Sequence, residues 1–251
     1  MKDGRVVKSY GYCFWRPAGG LGTALKNLDR WQVDEILVLD ISGRETPEPA
    51  LVREIKYSRI STPLTYGGGI HRPEHVDALL AAGCERFVLE TMAFTYPERV
   101  AKLADRVGAQ ALIASMPCVQ AKDDSWSVKP GFFRRKSSTR NVFAMEAALK
   151  ISNDLPVAEV LAVDRNHEGY KGQFSILSAE GKHPLQNSQK GIIWFGGIDV
   201  KQAVKLIDLP STVAVGVGHI NFEREVAMRL FRRHLLKGAP RASARKTHGL
   251  S

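Results

Sequence analysis

Three observations predict an α/β chain folded as a (βα)8 TIM barrel with an internal half-barrel duplication and its first strand truncated or replaced. The first is a repeat, sought before single elements because it fixes the whole layout. VDEILVLDI from Val33 is matched by VAEVLAVDR from Val157, 124 positions on, and LTYGGGI ending at Ile70 is matched by IWFGGID around Ile198, 128 positions on. The second is a series of short, unbroken apolar runs alternating with helix-like segments, the pattern of parallel strands covered on both faces. The third is length: 251 residues suit two halves of four β/α units closing into one barrel.

Taken in order, the apolar runs predict strands near Glu35–Leu39, Leu64–Tyr66, Phe87–Leu89, Ala111–Ser115, Val160–Val163, Ile192–Phe195 and Val213–Val217. Helices are predicted over Leu21–Arg30, Ala50–Tyr57, Pro73–Ala82, Pro97–Val107, Val142–Ser152, Val200–Ile207 and Glu223–Leu236. These make seven units, and the missing strand is the first. Either RVVKSYGY (5–12) takes its place, or the start codon was chosen too far downstream. An open seven-strand barrel would leave two unpaired edges, an awkward solution for a soluble chain.

Composition narrows the function classes. No apolar run reaches the roughly 18 residues of a membrane span, and MKDGRVVK has no secretory pattern, so a soluble cytoplasmic protein is expected. Cys13, Cys84 and Cys118 have no CxxC or CxH spacing, which argues against a disulfide framework and a zinc site; neither metal nor cofactor is expected. The formal charge is +10, of which Lys237, Arg241, Arg245 and Lys246 belong to a basic, acid-free segment, 237–251, expected to be a disordered tail after a barrel spanning 1–236. The remaining excess suits a phosphorylated substrate, and no fingerprint beyond charge supports nucleic acid.

The glycine runs point to anions. In (βα)8 barrels the functional face is at the C-terminal ends of the strands, where loop N–H groups and helix N-termini converge on phosphate. Gly67–Gly69 follow the third barrel position and Gly196–Gly197 the seventh, so two phosphate sites on opposite sides of the mouth are expected, completed by Thr91 on one side and by Gly216 and Gly218 on the other. The plain alternative is a pair of tight strand-to-helix turns, with Thr91 an N-cap. Acid/base candidates at strand ends are Asp40, Glu90 and Asp164, with His71 and His219 in nearby loops; either aspartate could instead brace a loop, and a loop histidine could be a surface residue. At the opposite end, Glu35, Arg86 and Glu159 begin alternate strands, which contribute side chains to one interior layer. They could pair there, or be solvated rim residues. The basic stretch Lys129–Arg140 is expected to be a mobile loop over the mouth.

Taken together, KDGRVVK, VDEILVLDI, TYGGGIHRPE, LETMAF and the duplicated halves resemble the cyclase subunit of imidazole glycerol phosphate synthase, the HisF family, from Lys2 to about Leu236. The resemblance implies a barrel that pairs with a glutaminase subunit (HisH-like) at its N-terminal face and passes ammonia up its bore, with no metal or cofactor. It maps phosphate binding onto Gly68, Gly69 and Thr91 in one half and Gly196, Gly197 and Gly218 in the other. Gly169, the glycine retained in NHEGYKG, a degraded form of a family loop, is counted with these phosphate-binding residues. The family's charged gate at the ammonia entrance maps onto Glu35, Arg86 and Glu159. The family's two catalytic aspartates, at the ends of the first and fifth strands, are both missing: the first strand would precede Met1, and the fifth reads ALIASMPCVQ, with Pro117 at or beside the aspartate position. Asp40 and Glu90 are the remaining catalytic candidates. The implied reading is a HisF paralogue of the surface-polysaccharide type, a lyase-like subunit using ammonia on a phosphorylated or nucleotide-linked sugar. The alternatives are the histidine-pathway cyclase itself, and a non-catalytic barrel that docks and activates a glutaminase.

Overall fold

The computed structural model describes residues 1–131, 142–177 and 183–218, together with 231, 233 and 235. The predicted tail 237–251, most of the predicted last helix, His219 and most of the predicted basic loop lie outside the described residues.

The chain opens with an antiparallel hairpin, β1 (Val6–Tyr10) and β2 (Phe14–Gly19). Parallel strands then alternate with helices. They are α1 (Leu21–Arg30), β3 (Ile36–Leu39), α2 (Pro49–Ser58), β4 (Leu64–Gly67), α3 (His75–Ala82), β5 (Arg86–Leu89), α4 (Thr91–Thr95), α5 (Pro97–Val107) and β6 (Leu112–Gln120). The two short strands β7 (Trp126–Val128) and β8 (Phe143–Ala144) form an antiparallel arm on the far half of β6. The second half continues with α6 (Met145–Asp154), β9 (Glu159–Asp164), β10 (Gly191–Phe195), α7 (Val200–Ile207) and β11 (Thr212–Gly216). Three helices, α1, α5 and α7, have the predicted ends.

The sheet order is β11-β10-β9-β6-β5-β4-β3, every neighbouring pair parallel. This is a curled sheet of the (βα)8 TIM barrel type, with seven barrel strands among the described residues. RVVKSYGY does not fill the first-strand position. Its residues pair with β2 in a two-stranded sheet of their own, and neither β3 nor β11 pairs with them. The chain before the hairpin hydrogen-bonds to the residues that follow β3: Ile41 N donates to Met1 O at 2.9 Å and Asp3 N to Ser42 Oγ at 2.8 Å.

Strand parity sorts the side chains, because alternate residues point to opposite faces. Outside the sheet, Ile36, Val38, Tyr66, Phe87, Leu89, Val160 and Trp194 pack in the large core under the helices. Inside the bore, Val88, Ile113, Leu161, Val163 and Ile193 form a second cluster, joined by Leu37, Leu39 and Phe195. Glu35, Arg86 and Glu159 share parity with this inner set at its N-terminal end, and Glu90 shares it at the mouth. Asp40 and Asp164 have the opposite parity.

The duplication extends to backbone angles. Gly68 and Gly196 both have φ +115, and Gly69 and Gly197 both have φ +70, a left-handed region that only glycine enters without strain. Among the described residues no helix is long and apolar enough to cross a membrane.

Candidate active site

At the mouth, the C-terminal ends of β3, β4, β5 and β6 surround a cavity of about 90 Å³ whose lining includes Asp40, Gly68, Gly69, Glu90, Thr91 and Ser115. The proposed catalytic pair and one proposed phosphate cradle are thus brought together. Thr91 is the first residue of α4 rather than its cap, so its hydroxyl is not committed to the helix end.

The two carboxylates of the pair differ in standing. Glu90 points into the bore and accepts from Gly131 N at 2.9 Å and Ser115 Oγ at 3.4 Å. Burial pushes its carboxyl above the ordinary range, against the lowering effect of those bonds and of Arg165. Asp40 is held at the end of β3 by Ser42, whose N donates at 3.0 Å and whose hydroxyl also donates to the same Oδ1. It lines the cavity while bracing its own loop.

Asp164, the repeat mate of Asp40, is fully buried and is a brace as well. It accepts from Ser175 N at 2.6 Å, Ser175 Oγ at 2.8 Å and His167 N at 3.2 Å, with His167 Nδ1 at 3.1 Å. The Ser, His and Asp do not form a nucleophilic triad. Ser175 Oγ meets the same Nδ1, at 3.1 Å, that faces the aspartate, whereas a relay needs the hydroxyl on the other ring nitrogen.

The glycines of the second half are closely packed by protein. A Cβ on Gly197 would lie 2.4 Å from both His167 O and Tyr170 O, and one on Gly196 2.6 Å from Asp164 O. Among the described residues, a Cβ on Gly218 would reach the Phe195 ring alone, at 3.8 Å. Gly169 has a structural reason of its own to be bare: a Cβ on it would meet Ser9 O at 1.9 Å, so its backbone seats the N-terminal hairpin. His71 also lines the cavity, and its carbonyl accepts from Arg99 Nη1 at 3.0 Å.

Two residues of the mouth were not singled out from sequence. Glu168, 6% exposed, accepts from Ser9 Oγ at 2.6 Å and Tyr12 N at 3.2 Å, while its backbone O accepts from Gly11 N at 2.8 Å. Tyr12, in the hairpin turn, packs on the inner cluster and lines the cavity. The available signal was position: Glu168 immediately precedes the noted Gly169, and Tyr12 ends the segment proposed for the missing strand.

At the other end of the bore Glu35, Arg86 and Glu159 form one ion-paired layer. Arg86 Nη1 lies 3.1 Å from Glu35 Oε2, Arg86 Nη2 pairs with Glu159, and Thr65 Oγ1 donates to Glu35. Their side chains are 21%, 33% and 22% exposed for Arg86, Glu35 and Glu159, so the three groups are paired with one another and partly solvated at the rim as well.

Burial also raises the Glu168 carboxyl, despite its hydrogen bonds. Glu90 and Glu168 therefore ionise near the ordinary 4.5 when unfolded and above it when folded. The folded state binds more protons just above pH 4.5, so stability from these groups is greatest below that value and falls as pH rises through the window. Urea midpoints should decline across that window, and Glu90→Gln should flatten the decline; an unchanged slope would mean Glu90 is not desolvated.

Comparisons with known proteins agree with this layout. The model of the family described as "Histidine biosynthesis protein" matches residues 1–227. The imidazole glycerol phosphate synthase subunit HisF of Corynebacterium glutamicum strain R, and that of a second strain, are each 28% identical over 181 residues, covering 70% of this chain and 70% of theirs. With the family's match running through both half-barrels, the chain belongs to the histidine biosynthesis protein family, as a diverged relative of the HisF subunit.

Proposed function

We propose that this barrel is a HisF-like synthase subunit that takes ammonia from a glutaminase at the N-terminal face of its sheet and uses it on a phosphorylated or nucleotide-linked sugar at the mouth. The observation that carries the reading is the ion-paired layer of Glu35, Arg86 and Glu159 at one end of a bore whose other end opens on the cavity. Three charged groups drawn together across the end of a bore, only partly exposed, contribute little to stability for the desolvation they cost. Between the two ends the bore is lined by Val88, Ile113, Leu161 and Ile193, a surface that suits neutral ammonia and disfavours a hydrated ion.

At the mouth, Glu90 is the acid/base group, and Gly68, Gly69 and Thr91 hold one phosphate. Gly196, Gly197 and Gly218 hold the other, with Gly169 seating the wall between. Asp40 supports the first site through its loop. The position of Pro117 on β6, where the family resemblance places a carboxylate, favours a paralogue with another substrate over the histidine-pathway cyclase. A sugar of a surface polysaccharide is the class we favour.

The test is glutamine hydrolysis by a HisH-like glutaminase with and without this chain, then with Glu35→Ala and Arg86→Ala. We expect stimulation that either change alters. No stimulation by a folded barrel would remove the partner. Stimulation with no turnover of any phosphosugar, unaffected by Glu90→Gln, would favour the docking-only reading that Asp40's engagement with Ser42 also suits.

A further inference from the structure

The reading above assigns nothing to Tyr12, yet the N-terminal hairpin is built around delivering it. The turn between β1 and β2 has three residues, Gly11, Tyr12 and Cys13. Its tip dips into the bore, so that Tyr12 rests on the inner apolar cluster and faces the cavity beside Glu90, Thr91 and Ser115. Tyr12 has φ +58, a conformation unfavourable for a residue with a Cβ and kept only where surroundings enforce it. The enforcement is visible: Glu168 takes bonds from Ser9, Gly11 and Tyr12, and Gly169 gives the room for Ser9 to approach. Every residue of β2 is exposed, whereas β1 is half-buried and its Tyr10 ring lies 5.3 Å from that of Tyr170.

We propose that Tyr12 is a substrate-contacting residue of the mouth, its phenolic hydrogen directed at an oxygen of the sugar part of a phosphorylated ligand, and that Glu168 is the residue that positions it. The inference rests on the phosphate reading of Gly68, Gly69 and Thr91, and adds to it what recognises the sugar. Burial, with Glu168 and Glu90 nearby, holds the phenol well above its ordinary ionisation range, so it stays a donor. Glu90 supplies an acceptor across the same cavity. A donor and an acceptor facing one small space are what a hydroxyl or carbonyl oxygen on a sugar requires.

The experiment is calorimetric titration of the full chain with inorganic phosphate and with ribose 5-phosphate as probes. The expected result is that ribose 5-phosphate binds more tightly than phosphate. Tyr12→Phe, which keeps the ring, should erode that preference by roughly 5- to 10-fold, the worth of one hydrogen bond. Glu168→Ala should erode it to the same degree, and the double variant no further, because the two act through one contact. If Glu168→Ala does not fold, Glu168→Gln takes its place. A preference unchanged in Tyr12→Phe, or no preference in the unaltered chain, overturns the proposal and leaves the phosphate reading standing. Binding of neither probe overturns both.

Discussion

Changing Gly68 to alanine should destabilise the fold by about 3–5 kcal/mol, and changing Gly196 to alanine by a similar amount, with no ligand present. A Cβ on Gly68 would lie 2.4 Å from Asp40 O and 2.9 Å from Asp40 Cβ, and on Gly196 2.6 Å from Asp164 O and 3.1 Å from Asp164 Cβ. Neither obstacle can yield easily. Asp40 N donates to Gly67 O at 2.7 Å, and Asp164 is fixed by Ser175 and His167. The positive φ adds backbone strain in each case. Gly20→Ala is the control: its φ is −90 and none of the described residues lies within 4 Å of a Cβ there, so a change within about 0.5 kcal/mol is expected. Urea unfolding decides. If Gly68→Ala cost less than about 1 kcal/mol, the loop would be pliant and its glycine would have to be explained by ligand approach alone. Equal losses at Gly68 and Gly196 would show that the two halves share one structural solution, a strand-end aspartate tucked under a glycine turn.

That solution explains what could and could not be read from sequence. The barrel strands were legible because burial on both faces leaves unbroken apolar runs such as EILVL and EVLAV, and the repeat fixed their order. The charged layer was legible for the same reason, since Glu35 and Glu159 open equivalent strands. Strand parity also held information that pairing Asp40 with Glu90 passed over. Glu90 is four residues after Arg86 and so shares its inward face, whereas Asp40 is five after Glu35 and does not. The hairpin was not legible as such. RVVKSYGY has strand character, but only its partner FWRPAG, with a proline and two exposed aromatics, decides that it pairs locally rather than in the barrel. Glu168 was hidden because its role depends on contacts with Ser9 and Tyr12, 159 and 156 residues away in the chain. Gly169 was noticed, but its purpose lies in a backbone approach that spacing does not encode.

Arg86→Ala should destabilise the chain by about 2–4 kcal/mol, because it leaves two partly buried carboxylates, Glu35 and Glu159, in one layer without the cation between them. Partial exposure keeps the figure below that of a fully buried triad. A loss under about 1 kcal/mol in urea unfolding would place these groups with ordinary surface pairs. The informative companion is the triple change Glu35→Gln, Arg86→Met and Glu159→Gln, which removes the charges together and should restore stability to near that of the unaltered chain. The two variants separate stability from passage. Arg86→Ala alone could lose coupling to a glutaminase simply by unfolding, whereas a stable triple variant that no longer couples has lost only its charges. In that event the layer is retained for what crosses it, and the stability of the barrel gives no reason to keep it.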